Sequence, residues 1–243
     1  PGDDFRYIDW NVLARTNEIF IKLFEREENV YLYLLVDSSN SMRIGNPSKL
    51  DRAKEIAAAF SQIGLASGDM VRVSFFTDKI NASSKLFKDK REIIKVVDFL
   101  NKEEGEGGAT NFEDALNFFN KRTLKRGVVF IISDFFDKKS ITEGIRALLY
   151  RKFHIAGIHL LNKDEISPTE VGEFHFVDNE TNEVREIIIR KNILEKYKKA
   201  FEEYRLGVEK FLRSYGCDYN MVTVESNMED WFLKELRKKG ILI

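Results

Sequence analysis

Two aspartates, two serines and a threonine carry the chemistry this sequence suggests. Asp37, Ser39 and Ser41 form the pattern D-x-S-x-S inside VYLYLLVDSSNSM, Val30 to Met42. Thr110 ends the glycine-rich stretch EGEGGAT, and Asp134 directly follows the apolar run GVVFIIS. All five side chains offer oxygen. Mg2+ takes oxygen ligands in near-octahedral geometry and usually keeps several waters. The hydroxyls of Ser39, Ser41 and Thr110 would supply neutral donors. Asp37 and Asp134 would supply negative charge, directly or through water. Neutral donors leave a cation much of its charge, so it attracts one further carboxylate from another molecule. The expected cofactor is Mg2+, with Mn2+ or Ca2+ in its place. Such a site is a recognition device and requires no catalysis.

Each segment alone also has an ordinary reading. Ser and Asp at strand ends are common turn and cap residues. Thr110 has Glu113 three residues on, the spacing of a capping box. The order of the three segments together is what points to a site.

The elements that must position these residues follow from the apolar pattern. Val30 to Val36 and Gly127 to Ser133 are apolar on both faces, as in a parallel sheet covered by helices on each side. Met70 to Phe76 and Phe153 to Leu161 read the same way. Ser48 to Ala66, with Ser48 as N-cap, repeats apolar residues at helical spacing, as do Arg91 to Leu100, Phe112 to Arg122 and Ser140 to Tyr150. Ala82 to Phe87 reads as a short antiparallel edge strand after a turn at Asp78 to Asn81. The alternation predicts an α/β fold, a doubly wound, mainly parallel sheet flanked by helices. In such folds ligands bind beyond the carboxyl ends of the strands, where strand order reverses. If the strands ending at Asp37 and Asp134 are neighbours there, all three segments meet.

The flanks add detail. Asp9 to Arg15 reads as a short helix and Ile19 to Phe24 as a strand. Arg6, Asp9, Trp10 and Arg15 read as an ion-paired collar within residues 1–28. Glu173 to Val177 and Val184 to Ile189 read as a β-hairpin, an insertion over 166–190. A long charged helix, Lys191 to Tyr215, a strand, Asp218 to Val224, and a helix, Met228 to Lys239, complete the chain. No linker or repeat is visible, so one domain over 1–243 is expected.

Composition removes several functions. Lys+Arg 39 nearly balances Asp+Glu 40, a formal net charge of -1. That gives no basis for nucleic-acid binding. One cysteine, Cys217, excludes an intramolecular disulfide and any cysteine-cluster zinc site. His154, His159 and His175 are scattered, and the first two sit in a strand-like run that suits core or edge positions. No stretch reaches the roughly 18 apolar residues of a membrane span. A cytoplasmic location is expected. The chain opens at Pro1-Gly2, so it reads as a fragment with room for a membrane tether upstream of residue 1.

The pattern of D-x-S-x-S, threonine and aspartate resembles the metal-ion-dependent adhesion site of von Willebrand factor A domains. GDDFRYIDWNVLART, KLFEREENVYLYLLVDSSNSM, KLDRAKEIAAAF, GDMVRVSFF, GGATNFEDAL, SDFFD and SNMEDWFLKELRKKG together resemble the domain of unknown function 58 (DUF58) family, over essentially the whole chain. The resemblance implies an A-like fold and a non-enzymatic role. It implies a metal site at Asp37, Ser39, Ser41, Thr110 and Asp134. It also implies a MoxR-type AAA+ ATPase, or its client, as partner in assembly or maturation of other proteins. Phe135 and Phe136, next to Asp134, read equally as partner surface or as core. Two other readings stand beside this one. A metal-dependent phosphoesterase would use Asp37 as nucleophile, but position 39 is Ser and offers no general acid, and no P-loop, G-x-S-x-G or H-E-x-x-H occurs. A purely structural A-like domain would bind no metal.

Overall fold

A computed structural model describes residues 30–123, 125–137, 141–168, 172–177 and 184–238, without side-chain placement for 172–177, 184–189 and 235–238. The proposed collar, the Asp9 to Arg15 helix and the Ile19 to Phe24 strand lie outside the described residues.

Among the described residues, six strands form the main sheet: β1 (Tyr31–Asp37), β2 (Met70–Phe76), β3 (Ile80–Ser83), β4 (Val128–Ser133), β5 (His154–Leu161) and β8 (Asp218–Thr223). Their order is β3-β2-β1-β4-β5-β8. All neighbours run parallel except β2 and β3. The remaining two strands, β6 (Gly172–Val177) and β7 (Val184–Ile189), pair antiparallel as a separate hairpin. The doubly wound α/β fold expected from the apolar strands is therefore the one observed.

The helices are α1 (Lys49–Ala66), α2 (Ile93–Lys102), α3 (Phe112–Arg122), α4 (Ile141–Tyr150), the single turn α5 (Lys163–Ile166), α6 (Lys191–Ser214) and α7 (Met228–Lys238). Alternate strand residues point to opposite faces, and both faces are buried. Leu32, Leu34 and Val36 of β1 face a core completed by Ala53, Ile56 and Ala57 of α1, Val96 and Leu100 of α2 and Trp231 and Phe232 of α7. Tyr33 and Leu35 face the other core, with Leu116 of α3, Ile145 of α4 and Val208 and Leu212 of α6. This explains why β1 reads as one unbroken apolar run.

One edge differs from expectation. The strand paired with β2 is Ile80–Ser83, not Ala82 to Phe87; Phe87 makes only an isolated bridge to Val71. The register shifts between Phe75 and Phe76. Thr77 N–H donates to the Lys79 carbonyl at 3.0 Å, which turns the chain two residues earlier than the apolar pattern suggests.

Candidate functional site

Strand order reverses between β1 and β4: the chain winds from β1 to β2 on one side, then crosses to β4 on the other. Val36 of β1 lies in register with Ile132 of β4, so Asp37 and Ser133 leave the sheet side by side, with Asp134 one residue on. Both aspartates are buried.

Asp37 anchors a hydrogen-bonded chain of hydroxyls. Its Oδ1 accepts from Ser39 N–H at 2.9 Å, and its Oδ2 accepts from the Ser133 hydroxyl at 2.6 Å. The Thr110 hydroxyl lies 3.3 Å from each carboxylate oxygen. Ser39 Oγ and Ser41 Oγ are 3.1 Å apart. A 3-10 turn, Asn40–Arg43, folds these serines back beside Asp37, with Met42 buried beneath it.

The glycine-rich stretch is clamped onto this turn. Asn40 N–H donates to the Gly108 carbonyl and Asn40 Oδ1 accepts from Gly108 N–H, both at 3.0 Å. Arg43 Nη2 donates to the carbonyls of Glu104 and Gly105 at 2.6 and 3.0 Å. Gly105 has φ +71°, and a Cβ there would lie 2.1 Å from Ser38 Oγ. The loop therefore approaches β1 closely only because glycine stands at 105. The capping-box reading of Thr110 fails: Asn111 is the N-cap of α3, and its side chain accepts from Asp114 N–H at 3.1 Å. Thr110 is thereby free to face Asp37.

Asp134 is held differently. Its Oδ1 accepts from Phe136 N–H at 3.2 Å, and its Oδ2 accepts from the Lys49 ammonium at 2.8 Å. Lys49 also donates to Glu165 Oε1 at 2.5 Å. The side chain of Lys49 is 0% exposed. So four of the five expected residues, Asp37, Ser39, Ser41 and Thr110, form one chain of contacts, while Asp134 stands beside them on an internal ion pair.

Sequence reading missed Lys49, Ser133 and Glu165. Lys49 is the first residue of α1, behind the Ser48–Asp51 capping box. A cation is disfavoured at a helix N-terminus, where the helix dipole is positive. A lysine in that place, just before an apolar helix, is the signal that could have marked it. Of the two phenylalanines, Phe135 is core and Phe136 is 45% exposed.

The electrostatics leave the site short of positive charge. Asp134 and Glu165 share one ammonium, and Asp37 lies beside that pair. Burial, then the neighbouring Asp134, pushes the Asp37 carboxyl up to about 6, against the hydrogen bonds from Ser133 and Ser39. Behind Asp134, His159 is buried with Nδ1 2.8 Å from the Tyr219 hydroxyl. Burial pulls its pKa down to about 4. Among the described residues, no group of three or more His, Cys, Asp or Glu side chains is gathered as a metal cluster. What converges instead is hydroxyl oxygen around one buried carboxylate. That donor set suits a hard, oxygen-seeking cation, and the unbalanced negative charge would favour it. Among the described residues, no helix is long and apolar enough to cross a membrane.

Known proteins extend the comparison. The uncharacterized protein Rv1480 of Mycobacterium tuberculosis (strain ATCC 25618 / H37Rv) is 24% identical over 242 residues, spanning 98% of this chain and 75% of its own. The conserved hypothetical protein BatB of Bacteroides thetaiotaomicron superposes with a TM-score of 0.53 at 15% identity, over 88% of this chain and all of that one. An aerotolerance-related membrane protein of Bacteroides fragilis gives 0.52 at 15% identity, over 86% and 100%. These structural likenesses concern the fold alone. The match of residues 1–206 to the family described as "Protein of unknown function DUF58" adds the lineage: the chain belongs to the DUF58 family.

Proposed function

We propose that this protein is a cation-dependent docking module that binds a carboxylate of a partner protein, and that it is not an enzyme. The observation that carries this reading is the hydroxyl chain of Ser39, Ser41 and Thr110 around buried Asp37, at the reversal of strand order. Asp37, Ser39, Ser41 and Thr110 would hold the cation, Mg2+ or Mn2+ by the hardness of the donors. Asp134, committed to Lys49, would act from outside that shell through water. The bound cation supplies Lewis acidity toward one more oxygen ligand. The residues do the rest. Ser133 and Ser39 N–H fix the Asp37 carboxylate, and three uncharged hydroxyls avoid neutralising the ion they hold. As for hydrolysis, Ser39 stands where a general acid would be needed. The family resemblance suggests a MoxR-type AAA+ ATPase or its client as the partner.

The test is thermal unfolding with Mg2+ or Mn2+, for wild type and Asp37→Ala. A cation at about 100 times its Kd stabilises the folded state by roughly 2.7 kcal/mol. Wild type should gain and the variant should not; equal curves across a millimolar titration would remove the cation from this reading. Capture of a MoxR-type ATPase by wild type in Mg2+, lost in EDTA and in Asp37→Ala, would identify the partner.

A further inference from the structure

The residue after Asp134 is in an unusual state. Phe135 has φ +55°, the left-handed region that a bulky side chain rarely adopts, and it is almost fully buried. Such a conformation costs on the order of 1–3 kcal/mol and persists only when its surroundings over-determine it. Its N–H donates to Ser133 Oγ at 2.9 Å, and its carbonyl accepts a hydrogen bond from the Tyr204 hydroxyl of α6. Its ring stacks on Phe112 at 5.6 Å and 7°, and meets His159 edge-on at 5.4 Å. Phe112 lies two residues past Thr110. It also packs on Phe76, whose carbonyl accepts from Ser38 N–H and Ser38 Oγ. One aromatic column therefore underlies all three loops that carry the expected ligands, and it ends on α6.

Tyr204 touches the Asp134 loop a second time. Its ring stacks on that of Phe136 at 5.7 Å and 23°. Phe136 in turn donates its N–H to Asp134 Oδ1 and lies under the Lys49 ammonium, 5.1 Å from ring centroid to Nζ. A single side chain on a distant helix thus holds the carbonyl of residue 135 and the ring of residue 136. Together these fix the turn that presents Asp134.

We propose that Tyr204 is the positioning residue of the cation site: its hydroxyl latches the Phe135 carbonyl and keeps the loop after β4 in the left-handed turn that holds Asp134 beside Asp37. The proposal rests on the reading of this edge as a cation site. It makes α6 the element through which a partner can act on that site. Arg190 alone separates Ile189, the end of β7, from Lys191, the start of α6.

Tyr204→Phe removes only the hydroxyl. Tyr219→Phe is the control: it deletes the hydroxyl that bonds His159 and Arg205 in the same aromatic cluster and leaves the Tyr204–Phe135 hydrogen bond in place. Mn2+ affinity is measured by calorimetry, and amide exchange at Phe135 and Phe136 by NMR without cation. The expected result is Mn2+ binding weakened about fivefold in Tyr204→Phe, equivalent to ~1 kcal/mol for a lost hydrogen bond. Exchange should quicken at Phe135 and Phe136 and not along β1, and Tyr219→Phe should match wild type in both. Wild-type affinity in Tyr204→Phe, or equal weakening in both variants, overturns the proposal. If wild type itself binds no Mn2+, the cation reading falls. The latch is then judged on exchange alone: unchanged protection at Phe135 and Phe136 overturns it, and selective loss supports it.

Discussion

Lys49 carries a full charge into a place that gives it no water. Its ammonium is held by Asp134 at 2.8 Å and Glu165 at 2.5 Å, with the Phe136 ring beneath it. Breaking a buried ion pair by removing one partner costs ~3–5 kcal/mol, because the other charge is left uncompensated. Lys49→Met keeps most of the volume and removes the charge. It should lower stability by about that amount in urea denaturation. Its effect on a cation has the opposite sign. With the ammonium gone, Asp37 and Asp134 present more negative charge to an ion beside them, so Mg2+ should bind the variant more tightly than wild type. Calorimetry of both proteins decides this. Weaker Mg2+ binding in Lys49→Met would mean that Lys49 supports the site and does not compete with it.

At the scale of elements, the parts that position the site were legible where the physics is local. Strands buried on both faces must be apolar throughout, so β1, β4 and β5 announce themselves. The N-cap of α1 follows from Ser48 and Asp51 three residues on. What stayed hidden depends on contacts between distant segments. Lys49 meets Glu165 across 116 positions, and Ser133 meets Asp37 across 96. No pattern within one segment could pair them. Thr110 was ambiguous for another reason: Thr110 and Asn111 are both good N-caps, and only the fold decides which one caps. The glycine-rich stretch was visible as a loop, but not the reason for its glycines. Gly105 is the sharpest case. Alanine there meets a left-handed penalty of roughly 1–2 kcal/mol, and its Cβ would lie 2.1 Å from Ser38 Oγ. Gly105→Ala should therefore push the loop off β1 and move Thr110 away from Asp37. The expected outcome is a lower denaturation midpoint together with weaker cation binding. A variant that loses stability yet binds Mn2+ normally would detach this loop from the site.

The stability of the whole molecule should register two buried groups in opposite directions. His159 falls from an ordinary 6.5 to about 4 because it is buried. Its folded pKa is depressed, so the stability linked to it is present above pH 6.5 and is lost as pH falls toward 4. Asp37 rises from 3.8 to about 6 through burial and the charge of Asp134. Its folded pKa is raised, so its contribution is complete below about pH 4 and is lost as pH rises through 6. Between pH 4 and 6 the two effects oppose each other in the wild type. Single variants expose one slope each. Asp37→Asn retains the histidine effect and should lose stability steadily as pH falls from 6.5 to 4. His159→Phe retains the aspartate effect and should lose stability as pH rises over the same range. Urea midpoints at half-unit pH intervals, in EDTA so that no cation holds Asp37 ionised, read both slopes. Two variants with parallel slopes would mean that one of these groups is not buried as described. Restoring Mg2+ to His159→Phe adds a further expectation: an ion that favours the Asp37 carboxylate should lower its folded pKa and flatten the slope that the variant revealed.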